Sequence, residues 1–193
     1  CAEVLGAKPA TLVAVDYAEQ GLYDLDQRFG RLHGTTKIDL ALANVTHRLR
    51  MERLFSHHRP DVVFHAAAYK HVRYVEENPG DGVLNNVTGT KITAELALAY
   101  EVEKFVLISS DKAVEPTSVM GATKRLCELL LLDMARVGRT EFISVRFGNV
   151  VRSRGSVIPK FEAQIDSGGP LTAHPQAERY LMSMSEAVGL VLH

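Results

Sequence analysis

Apolar residues fall along this chain in two alternating rhythms. Short β-branched or apolar runs recur as TLVAV (residues 11–15), DVVFH (61–65), FVLI (105–108) and FISVRF (142–147), each the length of a buried strand. Residues 35–40 are expected to add another strand. Between these runs the repeat becomes helical. Residues 19–32 put Leu22, Leu25 and Phe29 on one face, and residues 48–58 turn Leu49, Leu54 and Phe55 inward with basic residues outward. Residues 85–100 predict a long helix. So do residues 119–137, where Leu126, Leu129, Leu130 and Met134 are core or interface positions. Strands alternating with helices predict an α/β fold with a doubly wound parallel sheet. Towards the end, a Pro-containing helix is expected from residue 157, a turn with a short strand over 168–175, and a last helix within 178–192.

Composition narrows this picture. A chain of 193 residues can bury one substantial core. With 22 Lys and Arg against 23 Asp and Glu, the net charge of −1 gives no nucleic-acid or anionic-membrane footprint. The two cysteines, Cys1 and Cys127, stand far apart and in no metal-ligand spacing, so reduced thiols in a cytoplasmic setting and no metal site are expected. No apolar stretch is long enough to span a bilayer.

The chemistry concentrates in residues 105–126, FVLISSDKAVEPTSVMGATKRL. A buried strand runs into Ser110, Asp111 and Lys112, then a Pro-containing loop, then a helix carrying Met120 and Lys124 on one face. Open α/β sheets bind ligands beyond the carboxyl ends of their strands, so this cluster reads as a reaction centre. Ser-Asp is equally ordinary turn and cap chemistry. Asp16, closing the TLVAV run, stands where a dinucleotide-binding sheet grips the adenosine ribose, although an acid there also serves as a turn residue. Asn44 follows the next run, at the position of a small polar residue near adenine. Ala66, Ala67 and Ala68 beyond DVVFH let a bulky ligand approach the backbone, while Tyr69, Lys70 and His71 read either as site or as loop residues. Asn86 is a helix cap or a brace for the neighbouring strand. Arg154 and Arg179, and less directly Lys160, offer cations to a diphosphate, or simply surface ion pairs. The chain starts and stops inside helical patterns, and neither a strand nor a Gly-rich phosphate loop precedes TLVAV. It is therefore expected to be an N-terminally truncated fragment, with an incomplete NAD(P)-binding core over 1–150 and part of a substrate-binding portion over 151–193.

Five ordered segments, HAAAYKHV, NNVTGT, ISSDKAVEPTSVMGATKR, VRFGNVVRSRGSVIPKF and ERYLMS, resemble the extended short-chain dehydrogenase/reductases. More narrowly, they resemble the nucleotide-sugar 4,6-dehydratases of the polysaccharide-biosynthesis (CapD-like) group. The resemblance implies NAD, or NADP, as cofactor and a UDP-N-acetylhexosamine, foremost UDP-N-acetylglucosamine, dehydrated to a UDP-4-keto-6-deoxy sugar for capsule or other surface glycans. It implies Asp111 as the acid at the C6 hydroxyl, Lys112 as the base at C5, Ser110 at the C4 hydroxyl and Lys124 on the nicotinamide ribose. Lys70, His71, Asn149, Ser153, Arg154, Val157 and Arg179 become substrate-contacting positions, and Asp16 favours NAD over NADP. Such a mechanism expects burial to keep Asp111 protonated part of the time. Met120 replaces the usual Tyr, a feature of the membrane-anchored branch, and leaves C4 deprotonation to Ser110, Lys112 or water. A homo-oligomer through residues 119–137 and a parent protein at the inner membrane, with this domain facing the cytoplasm, complete the expectation. The rivals are a UDP-sugar C4-epimerase and a non-catalytic nucleotide-binding domain.

Overall fold

The structure is a computed structural model; it describes residues 1–151, 157–173 and 180–192, with Leu32 and Val157 described by their backbone alone. In chain order the first half comprises α1 (Ala2–Gly6), β1 (Thr11–Asp16), α2 (Glu19–Phe29), β2 (Leu32–His33), β3 (Thr36–Leu42), α3 (Arg48–His58), β4 (Val62–His65) and α4 (Val72–Glu77). A helical run follows: α5 (Pro79–Gly82), a π segment (Val83–Thr88) and α6 (Gly89–Ala99). Next come β5 (Lys104–Ile108), a 3₁₀ turn (Asp111–Ala113), α7 (Val119–Met134), β6 (Glu141–Val145), β7 (Asn149–Val150), α8 (Val157–Asp166), β8 (Leu181–Met182) and α9 (Met184–Leu192).

The strands form two parallel units. β1 pairs in parallel with β3, whose other edge takes β2 in a short antiparallel hairpin, while β4, β5 and β6 pair in parallel in that order. The two units share no strand pairing among the described residues. Among the described residues, Val15 on β1 and Val62 and Phe64 on β4 are exposed apolar side chains. β7 and β8 make a separate two-stranded parallel ladder, with Asn149 opposite Leu181.

One core is built on the β4–β5–β6 sheet and the helices that cover it. Met51 and Phe55 of α3 pack with Ile92, Ala94 and Leu96 of α6, with Phe105 and Leu107 of β5, and with Cys127 and Leu131 of α7. Among the described residues, no helix is long and apolar enough to cross a membrane, and no group of His, Cys, Asp or Glu is placed to hold a metal ion.

Several elements differ from the sequence expectation. The helix expected over 19–32 stops at Phe29, because Gly30 takes φ +64° and the chain turns into β2. In α3, Leu49 points outward, 65% exposed, and Met51 takes the inner position. The helical run expected over 85–100 begins earlier, at Pro79, and passes from one α-turn into the π segment before α6. The segment 168–173 carries no strand; β8 lies further on.

Candidate active site

The carboxyl end of β5 builds the site. Ser110, in extended backbone, caps the 3₁₀ turn by accepting the Lys112 amide at 3.3 Å, and its Oγ donates to Asp111 Oδ1 at 2.9 Å. The Asp111 amide donates to the Phe147 carbonyl at 3.1 Å, which ties the turn to the segment beyond β6. Lys112 Nζ lies 2.9 Å from Asp111 Oδ1 and 3.4 Å from Asn149 Oδ1. Ser110, Asp111, Lys112 and Asn149 therefore form one hydrogen-bonded chain. Among the described residues, Asn149 Nδ2 is buried with no hydrogen-bond partner.

Asp111 and Lys112 line an open cleft of about 400 Å³, with Val72, Val114, Glu115, Thr117, Ser118 and Tyr180 completing its walls. The cleft exists because α7 comes down on the 3₁₀ turn. Ser118 caps α7 by accepting the Gly121 amide at 3.1 Å, and a Cβ on Gly121 would stand 2.2 Å from the Lys112 carbonyl oxygen. Only a glycine permits that approach.

Charge in the cleft departs from the sequence expectation at one point. Burial alone raises the Asp111 carboxyl, but bonds from Lys112 and Ser110 outweigh it and hold the group below the ordinary carboxylate range. With a side chain 36% exposed, Asp111 is an ion-paired carboxylate, not the partly protonated acid expected.

Behind the cleft lies a layer of buried polar groups. Lys124 is 6% exposed; burial lowers its pKa, against the opposing pull of Cys127 and Glu128, and Nζ donates to the Ile108 carbonyl at 2.8 Å. Lys124 thus reaches the strand that leads to Ser110, without lining the cleft. Met120, one turn earlier, is 3% exposed. Asn86 is no helix cap. It sits inside the π segment, accepts the Tyr69 amide at 2.7 Å and donates to the Tyr69 carbonyl at 3.1 Å and to Thr123 Oγ1 at 3.0 Å. A π segment inside a helix often marks a functional site; here it aims one amide at both main-chain groups of Tyr69, next to the small residues Ala66, Ala67 and Ala68. His65, at the end of β4, meets Thr90 Oγ1 at 3.0 Å, and burial drives its pKa down to about 3, with Lys124 adding to the shift.

The remaining predicted positions are dispersed. Asp16 and Asn44 mark the ends of the paired strands β1 and β3, where the Ala43 amide donates to the Asp16 carbonyl at 2.9 Å. Asp16 Oδ1 accepts the Ala18 amide, and Asn44 Oδ1 accepts the Thr46 amide and hydroxyl, so both also serve as local turn groups. His71 precedes α4 and stacks edge-on against Tyr74. Tyr69 and Lys70 occupy the exposed end of the Ala66–Ala68 loop. Val157 opens α8, while Ser153, Arg154 and Arg179 lie outside the described residues.

Sequence reasoning missed a second cluster. Glu128, 3% exposed, accepts from Ser109 Oγ at 2.6 Å, from Arg146 through Nε at 2.8 Å and a terminal nitrogen at 2.6 Å, and from Arg125 at 3.0 Å. The signal was present: Met120, Lys124 and Glu128 repeat at intervals of four, and Arg146 interrupts an apolar strand run.

Comparison with known proteins now bears on this geometry. The family described as polysaccharide biosynthesis protein matches residues 1–193. This chain belongs to that family. Within the polysaccharide biosynthesis proteins it is 44% identical to the probable polysaccharide biosynthesis protein EpsC of Bacillus subtilis, over all of this chain and 32% of the relative. It is 43% identical to the capsular polysaccharide biosynthesis protein CapD of Staphylococcus aureus, over all of this chain and 33% of that protein. The chain thus spans about a third of the length of these two relatives. A UDP-glucose 4-epimerase of Rickettsia canadensis is 44% identical over 70% of this chain and 41% of its own length. Among solved structures, Pen from Bacillus thuringiensis superposes with a TM-score of 0.89 at 34% identity, over 99% of this chain and 58% of that one. The dTDP-glucose 4,6-dehydratase DesIV of Streptomyces venezuelae, crystallised with NAD, shares the fold at a TM-score of 0.83 and 19% identity, over 99% of this chain and 66% of its own.

Proposed function

We propose that this chain is the catalytic portion of an NAD-dependent UDP-N-acetylhexosamine 4,6-dehydratase, acting foremost on UDP-N-acetylglucosamine to give a UDP-4-keto-6-deoxy sugar. The observation that carries the reading is the adjacent carboxylate and amine of Asp111 and Lys112 on one cleft, at the carboxyl end of a parallel strand. An elimination across one carbon–carbon bond needs a base at one carbon and an acid at the next, and neighbouring side chains supply both.

The residues present suit a dinucleotide. Asp16 offers a carboxylate at the end of β1, the Ala66–Ala68 run offers an approach free of bulky side chains, and Lys124 is a buried donor beside β5. NAD, when bound, supplies the oxidation at C4 and the matching reduction at C6. As the bound sugar displaces solvent, a proton passes from Lys112 to Asp111; Lys112 then takes the C5 proton, Asp111 delivers its own to the departing C6 hydroxyl, and Ser110 contacts the C4 hydroxyl. The unpartnered Nδ2 of Asn149 suits an acceptor on the nucleotide sugar. Met120 carries no exchangeable proton, so proton movement at C4 falls to Ser110, Lys112 or a water. Ser153, Arg154, Val157 and Arg179 are proposed as substrate-contacting positions. The full-length protein is proposed to be a homo-oligomer held at the inner membrane by other segments, with this portion in the cytoplasm.

The Rickettsia relative gives a C4-epimerase as the second reading. Epimerisation at C4 has no use for a separate acid–base pair beside C5 and C6. Incubation of the full-length protein with UDP-N-acetylglucosamine, followed by mass analysis, separates the two: dehydration loses one water, whereas epimerisation leaves the mass unchanged. Asp111→Asn and Lys112→Met are each expected to abolish the dehydrated product while the melting temperature holds. Wild-type turnover in both variants rejects the assigned roles.

A further inference from the structure

We propose that Glu128 is a positioning residue, a clamp that locks the ends of β5 and β6 onto α7 and so sets the geometry of Ser110, Asp111, Lys112 and Asn149. The proposal rests on the dehydratase reading for its catalytic consequence, and on the hydrogen-bond geometry for the clamp itself.

Glu128 receives four donors on two oxygens, and those donors come from three elements. Ser109, which binds Oε1, is the residue between β5 and Ser110. Arg146, which grips both oxygens, follows β6 directly. The next residue, Phe147, accepts the Asp111 amide, and Asn149, two further on, meets Lys112 Nζ. Every strand-borne group of the cleft is therefore one to three residues from a Glu128 contact. Lys124, one turn earlier on the same helix, holds the Ile108 carbonyl, so α7 grasps consecutive residues of β5's exit at Ile108 and Ser109. A two-pronged guanidinium contact fixes orientation as well as distance.

The carboxylate is suited to a permanent role. Burial pushes its pKa up, but bonds from Arg146, Ser109 and Arg125 overcome this and bring it to about 2, so it stays ionised at any working pH. Its oxygens are occupied and its side chain is 4% exposed, which leaves it no access to substrate. Errors of about 1 Å in placing reacting groups cost about a hundredfold in rate, and a clamp next to the reacting pair acts on that distance.

The test uses the full-length protein and two readouts. In Glu128→Gln, amide exchange at Ser109, Asp111 and Ala113 is expected to accelerate about tenfold or more relative to Leu107. The kcat for the dehydrated product is expected to fall about thirtyfold or more with KM held within about threefold. Glu128→Asp, which keeps the charge, is expected to recover part of the loss. Ser109→Ala, which removes one bond and leaves the Arg146 pair, gives a smaller loss and adds nothing to Glu128→Gln. It also serves where Glu128→Gln fails to fold. Unchanged exchange over 109–113 overturns the clamp, and faster exchange with wild-type kcat overturns its positioning role. Absence of dehydrated product from the wild type overturns the dehydratase reading alone, and the exchange measurement still decides on the clamp.

Discussion

His65 shows how one buried side chain gives the molecule a pH dependence. Its ring is 3% exposed at the end of β4, and burial together with the charge of Lys124 lowers its pKa from 6.5 to about 3. Above pH 6.5 the ring is neutral in both folded and unfolded chains. Below it the unfolded chain takes up a proton that the folded chain refuses, so stability is present above that point and falls as the pH drops towards 3. Between pH 7.5 and 4.5 this single group is expected to remove roughly 2–3 kcal/mol. Urea titrations at the two pH values should show the wild type losing that much more than His65→Gln. Equal losses would mean that the ring is protonated in the folded state. Residue identity made some clustered positions legible and concealed others. Ser110, Asp111 and Lys112 announce themselves by adjacency, whereas Glu128 is hidden among leucines and needs Arg146, 18 positions away, to give it meaning.

At the scale of elements, close approach decides function. α7 meets the 3₁₀ turn where Gly121 faces the Lys112 carbonyl, so a methyl group there would overlap backbone that carries both Asp111 and Lys112. Gly121→Ala is expected to cost about 2–3 kcal/mol as an overpacked contact and to abolish product, because the turn must retreat. Thermal melts and turnover of the full-length variant check both effects; wild-type values for both would show that the turn can yield freely. Elements built on plain periodicity were legible: α3 spans residues 48–58 as expected, and β1, β3, β4, β5 and β6 begin and end within a residue or two of the apolar runs. The phase of α3 was misjudged because Leu49 and Met51 are both apolar, and hydrophobicity alone does not choose between them. The π segment was invisible, since an extra residue per turn leaves the composition of a helix unchanged.

The molecule packs α3, α6 and α7 with β5 around one core, and among the described residues it leaves one face of α7 uncovered. Leu126, Leu129 and Leu132 are 49%, 45% and 61% exposed, and the π segment packed against this helix adds Val83 and Leu84 at 43% and 52%. Exposed apolar side chains on two packed helical segments suit a second copy of the chain, in line with the homo-oligomer proposed above. Sedimentation equilibrium of the full-length protein is expected to give a dimer or larger assembly, with Leu126→Glu and Leu129→Glu together shifting it to monomer. An unchanged mass in the double variant would place the contact elsewhere. The alternation of strands and helices made this architecture readable in advance. Which leucines face a partner was not readable, because core and contact surface obey the same periodicity.

The ion pair at 111 and 112 has a further implication for turnover. In the resting molecule Asp111 is the bare carboxylate of an ion pair, which on the proposed reading is the state suited to adding water back to an alkene. On that reading, forward catalysis begins by inverting the arrangement. An arriving sugar that displaces solvent from the cleft would weaken the charge separation and favour a proton shift along the 2.9 Å Lys112–Asp111 contact before any carbon–hydrogen bond is touched.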